Sequence, residues 1–379
     1  MFNEINQGNA MGQMKYRYSI VLCITLSMVF ASGCPSVPHR EFKSYSDAFA
    51  ETKTITEQLL LEYDLAKQAE TKRRSAGMNS VKRSPPYPPV VNLTHIDEGK
   101  SIKDPVNARR DALKVVTGFN SVLISLAEGK KPEEVKSATD SFIENLNDFS
   151  KLISEDFTIP YAGQVGAIIS TIVTKLEEAE NRKQFIAALR EAEPIIQSIL
   201  DLFAKDAQDI YKIKARQTDR IWSDHQDKVA TLIRQIKTVA KEHSMPAGEM
   251  AKKLQNIEKE VRQVYNRAGL YDNTEELLTT GNKPLDELTI SQFQQTLVQA
   301  NSETDKYESI IKAQIAFHEL IISYGQLLNK TKSTLTTVRL ALDAPVDIRQ
   351  QANELISFVF AVKRDWEALN DARRSIRSN

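Results

Sequence analysis

The most constraining feature of this chain is a spacing. From Ser291 to Leu342, apolar residues recur every three or four positions, among them Phe293, Leu297, Ile310, Phe317, Ile321, Tyr324, Leu328, Leu335, Val338 and Leu342. That period lines up one face of an α-helix, whereas a strand would alternate with period two. As a single helix the stretch is roughly 75 Å long at 1.5 Å per residue. Only other long helices can cover so long an apolar stripe, so the C-terminal part reads as coiled-coil-like.

The same period runs through the rest of the chain. Residues 47–74 form a first helix with Phe49, Ile55, Leu59, Tyr63 and Ala66 on one face, Ser46 or Asp47 as its cap, and Lys72-Arg73-Arg74 at its end. Residues 75–104 are irregular and contain Pro85-Pro86-Tyr87-Pro88-Pro89. Proline fixes the backbone and removes donors, so this piece reads as a stiff polyproline-like spacer; a docking ligand for an aromatic groove is the other reading. Asp104-Pro105 opens a second helix that Gly129 ends, and Pro132-Glu133-Glu134 opens a third, packed antiparallel to it. Glu180–Tyr211 is helical, with Pro194 expected to kink or restart it. Lys212–His243 and Ala247–Ala268 are further helices, Gly269–Lys283 a loop, and Ala352 to Leu369 the stripe of the last helix. Residues 105–211 read as a compact helical part and 212–379 as a long-helix bundle. The fold class expected is all-α, an elongated antiparallel bundle.

Between Asp156 and Lys175 lie eighteen residues without a charge. Within them Ala162, Gly166 and Ser170 fall at four-residue spacing, as do Gly163 and Ala167. Small residues so spaced let helix backbones approach closely, in membranes and in soluble cores. The segment 157–174 therefore reads as a helix buried in the bundle, or as a segment that inserts into a bilayer. Pro160 limits its uncharged helical part to about 21 Å, short of a span.

Chemistry-bearing motifs are scarce. Lys and Arg total 50 and Asp and Glu total 50, so no basic excess points to nucleic acid. No phosphate loop, dinucleotide fingerprint, zinc motif or Gly-x-Ser-x-Gly turn occurs. Of the five histidines, His225, His243 and His318 have no ligand partner three or four residues away, as a helical metal site requires. His39 has none either, and His95 with Glu98 falls in the irregular stretch. The patch Trp222-Ser223-Asp224-His225-Gln226-Asp227 reads as a helix surface with one buried tryptophan. We assign no catalytic residue, metal, cofactor, nucleic-acid partner or small-molecule substrate from the sequence.

The N-terminal region has its own pattern. Lys15 and Arg17 precede an apolar run from Ser19 to Phe30, followed by Ala31-Ser32-Gly33-Cys34. Charge, short apolar run and small residues form the layout of a secretory signal peptide, and the run is too short to span a bilayer. The tetrapeptide Ala31-Ser32-Gly33-Cys34 resembles the lipobox of bacterial lipoproteins. The resemblance covers these residues alone. It implies removal of residues 1–33 by a cut between Gly33 and Cys34, acylation of Cys34, and residues 34–46 as a tether. Pro35 stands where Asp would favour inner-membrane retention, so the resemblance implies the outer membrane, periplasmic or surface-facing. The only other cysteine, Cys23, leaves with the signal, so the expected mature chain has no disulfide. The function expected is a lipid-anchored envelope scaffold that docks a protein partner, without enzymatic work. The alternative is a helical pore-forming or membrane-remodelling protein that uses 157–174.

Overall fold

The computed structural model describes residues 39–75, 105–156, 162–270, 280–343 and 346–378. The signal stretch with Gly33 and Cys34, the proline-rich residues and most of the loop expected at Gly269–Lys283 lie outside these. Among the described residues the chain forms eight helices: α1 (His39–Ser75), α2 (Pro105–Ala127), α3 (Pro132–Asp156), α4 (Ala162–Glu177), α5 (Arg182–Lys241), α6 (Gly248–Arg267), α7 (Glu287–Asp343) and α8 (Arg349–Ser378). The protein is an elongated all-α bundle.

Two helices set its length. Helix α5 has 60 residues and α7 has 57, so each runs on the order of 85–90 Å. They lie antiparallel: Asp201 bonds to Lys332 at 2.7 Å, Thr218 to Gln314 at 3.0 Å and His225 to Glu303 at 2.7 Å. Helix α8 folds back along α7, with Ser323 donating to Asp365 at 2.5 Å. Helix α1 runs parallel to α5, where Lys214 meets Glu62 at 3.1 Å and Gln217 donates to the Ala66 carbonyl at 3.1 Å. Helices α2 and α3 form an antiparallel hairpin. Gly118 permits their approach, since a Cβ there would sit 3.1 Å from the Phe142 Cα.

The apolar residues gather into two separate cores. The larger is built by α1 to α4, the first half of α5, the second half of α7, and α8; it contains Phe42, Tyr45, Phe119, Phe142, Phe203 and Tyr324. The smaller contains Val229, Ile233, Ile236, Leu254, Ile257, Val261, Phe293 and Leu297, from the end of α5, α6 and the start of α7. The molecule is thus a seven-helix body with a three-helix arm. Between the two cores, α5 and α7 meet through polar and aromatic contacts. Trp222 lies 6.1 Å from Tyr307, and Gln226, buried, donates to the Ala268 carbonyl at 2.7 Å. In the tryptophan patch Trp222 is buried and Asp224 and Asp227 are exposed, as on a helix surface, while Gln226 is buried as well.

Three boundaries differ from those read in the sequence. Helix α1 starts at His39, inside the stretch taken as a tether, because Phe42 and Tyr45 continue the stripe of Phe49 backward into the core. Pro194 does not restart α5, which runs through it as one helix. It sits exposed, while Ala192, Glu193, Ile195 and Ile196 around it are buried, so tertiary packing holds the turn that the missing donor weakens. Residues 211 and 212 lie within one helix, and the division between body and arm cuts across α5 and α7 instead.

Local chemistry explains the starts of both long helices. Asn181 and Gln184 form a reciprocal capping box at α5. At α7 the Asp286 carboxylate accepts from the Thr289 amide at 2.8 Å and its hydroxyl at 2.6 Å, and these bonds hold Asp286 below the ordinary carboxylate range.

Candidate docking surfaces

The buried ionic groups are bound to one another. Arg109 of α2 makes a two-pronged pair with Asp206 of α5, both buried, and the guanidinium lies 5.0 Å from the Tyr63 ring centroid. Burial pushes the Asp206 carboxyl up and the bidentate guanidinium opposes it; the charged pair is the state this geometry holds. Burial works against the Arg109 charge, and the Asp206 carboxylate outweighs it, so Arg109 stands above its ordinary value. Glu193 accepts from Arg339 at 2.6 Å, and Arg339 also reaches Asp343 at 3.2 Å. Glu62 accepts from Arg373 at 2.9 and 3.0 Å; burial raises its pKa, but Arg373 and Lys214 together leave it below the ordinary value. These pairs join helices to helices.

The residues singled out in the sequence are placed as follows. The side chains of Ala162, Gly163 and Gly166 lie outside the described residues. Ala167 and Ser170 are exposed, and α4 buries Ile169, Ile172 and Leu176 instead. The small residues that can be described thus face outward, not toward a neighbouring helix of the body. Helix α4 has 16 residues, about 24 Å, and among the described residues no helix is long and apolar enough to cross a membrane. His225 pairs with Glu303, and the His243 ring meets the Val239 carbonyl at 2.8 Å. Among the described residues no group of three His, Cys, Asp or Glu could hold a metal ion.

Two open grooves stand out among the described residues. One, of about 640 Å³, lies on the body where α1 and α3 flank α2; Lys53, Leu61, Arg110, Lys114, Ser121 and Asn145 line it. The other, of about 780 Å³, lies on the arm between α5 and α7; Lys228, Leu232, Val298, Gln299, Ser302 and Glu303 line it. At its inner end burial raises the pKa of Glu303, but His225, Lys228 and Lys306 together hold it below the ordinary value, so the carboxylate is already engaged. On the far side of α7, Arg267 of α6 bonds to Glu308 at 2.9 Å and Asn301 at 3.1 Å and pairs with Asp305, which fixes α6 against the arm.

The arm surface was not singled out in the sequence reading, although it left a signal. From Leu288 to Ser302 there is no charged residue, yet Leu288, Ser291, Gln295, Val298 and Ser302 are all exposed. The exposed face of a solvated helix ordinarily carries charge. The chain matches no protein-family model, and no match exists among curated proteins or solved structures.

Proposed function

We propose that this protein is a lipid-anchored envelope protein that holds a helical arm away from its membrane and docks protein there, without chemistry of its own. The anchor rests on the lipobox resemblance at Ala31-Ser32-Gly33-Cys34. The observation that carries the rest is the polarity of the rod. Helix α1 begins at His39, and Cys34 precedes it by five positions, at most about 17 Å of chain. Because α1 runs parallel to α5 in the register Glu62–Lys214, its start lies near the N-terminal end of α5. The arm tip, where α5 ends at Lys241, is at the other end. The roughly fifty residues of α5 between those levels span about 75 Å.

An acylated Cys34 thus fits a body seated at the membrane and an arm pointing away from it. Several acyl chains at about 0.8 kcal/mol per buried methylene hold such a protein stably. The test is an intact mass of the membrane-extracted protein, with fractionation of a Cys34→Ala variant. An N-terminus at Cys34 carrying acyl mass is expected, and the variant should stay unprocessed or leave the membrane. An unmodified Cys34, or unchanged fractionation, would overturn the reading.

A further inference from the structure

Within the arm, α7 carries two seams at heptad spacing, an apolar inner one and an uncharged outer one. The inner one, Ile290, Phe293, Leu297, Ala300, Thr304 and Tyr307, is buried against α5 and α6. Its steps are three, four, three, four and three. The outer one, Leu288, Ser291, Gln295, Val298 and Ser302, has steps of three, four, three and four, the a/d spacing of a coiled coil. All five of its residues are exposed; Leu288 is 67% and Val298 69% accessible. No charge interrupts it over about 21 Å of helix.

We propose that this outer seam pairs in parallel, in register, with the same seam of a second copy of this chain. Three observations choose that occupant. The first is charge: a face that meets its own copy places each residue on its twin, so any charged position would repel itself, and this face has none. The second is the polar Gln295, which falls at an a-type position midway along the seam. In parallel register it meets its own amide, a device that fixes register at some cost in stability. The third is geometry. Copies anchored at Cys34 in one membrane hold their arms at one height and pointing the same way. The parallel sense therefore rests on the anchor reading above, while the seam itself does not. Beside the seam lies the groove that Leu232, Val298 and Ser302 share with the charged Asp227, Lys228 and Glu303.

With two apolar residues in five, the seam is too short to hold a dimer at low concentration. Tethering in one membrane raises the effective concentration toward the millimolar range, where a weak seam suffices. Pairing is thus expected in the membrane and weak or undetectable in dilute solution.

The experiment is cysteine crosslinking in native membranes, using the full chain. Once Cys34 is acylated and Cys23 removed with the signal, an introduced cysteine is the only free thiol. Gln295→Cys and Val298→Cys are each expected to give crosslinked dimers on mild oxidation, and Phe360→Cys, on the exposed body surface, to give none. Coexpressed Leu288→Cys and Ser302→Cys chains should not crosslink to one another. Adding Val298→Glu should cut the Gln295→Cys dimer at least about tenfold, since apposed like charges cost several kcal/mol. That variant must melt as the parent does; if it does not, Ser302→Glu takes its place. No excess over Phe360→Cys in a chain shown by mass to be acylated overturns the seam and leaves the anchor standing. A crosslink to a different protein overturns it as well. A Leu288–Ser302 crosslink means antiparallel pairing and overturns the parallel sense. With Cys34 unmodified, that crosslink removes the anchor reading too.

Discussion

Arg109 and Asp206 show what single residues do here. The pair sits in the body core, where helix α2 crosses α5, with both side chains almost fully enclosed. Two ions leave water there, and each depends on the other for compensation. Arg109→Met should therefore destabilise the protein by about 3–5 kcal/mol, because Asp206 is left buried and unpaired. Arg109→Met with Asp206→Leu should recover most of that, since an apolar pair of similar volume removes the orphaned charge. Urea unfolding of the parent, the single and the double variant measures it. A double variant no more stable than the single one would mean that the pair does more than compensate itself. No local pattern in the sequence announces this pair. Arg109 and Asp206 stand 97 positions apart, each within an amphipathic stretch that reads equally well with a solvated charge. The seam residues were hidden in another way. Gln295 and Ser302 are ordinary polar residues, and only the missing charge around them distinguishes the face.

At the scale of elements, apolar period was a sound guide to where helices lie and a poor guide to where they end. The stripes of Phe119, Leu146, Ile199 and Val261 are each buried on a helix. Boundaries failed where a local rule met a tertiary one. Proline at 194 argues for a kink or a restart, but the core on both sides carries one helix through it. The helix bond that the proline lacks can be restored. Pro194→Ala restores a donor toward the Arg190 carbonyl and relieves the ring contact there. A proline inside a helix costs about 3 kcal/mol, and loss of its rigidity in the unfolded chain returns about 1 kcal/mol in the opposite sense. A net stabilisation of about 1–2 kcal/mol is expected in thermal or urea unfolding. A loss of stability would show that α5 is adapted to the proline at that turn. The start of α1 failed for the opposite reason. Pro35 and Pro38 favour a tether through Ser46, but Phe42 and Tyr45 have a core to enter, so the helix extends back to His39.

The arrangement of the whole molecule was the least legible, because it depends on which helices share ends. The sequence shows α7 as one long helix and reads the span of α5 as two. It does not show that their far halves leave the body together, or that α1 begins at the opposite end from the arm. Register supplies both: Glu51 meets Lys363 at 2.7 Å and Glu62 meets Arg373 at 2.9 Å, so α1 and α8 run parallel toward the arm, and Arg190 meets Asp343 at 2.8 Å at the other end. The anchor proposed at Cys34 then limits how the rod can stand. If Cys34 is acylated, the body lies within about 17 Å of the bilayer, and the arm tip is on the order of 75 Å away with the rod upright and near the lipid with it flat. Met245 at the tip and Asp347 at the opposite end are both exposed, so either can be exchanged for a labelled cysteine. In membranes carrying an acceptor lipid, a dye at Asp347→Cys should transfer strongly and one at Met245→Cys hardly at all. Equal transfer from the two sites would mean a rod lying along the membrane. The outer seam of α7 would then meet lipid or a neighbour's flank at variable height, and in-register pairing would lose its geometric basis.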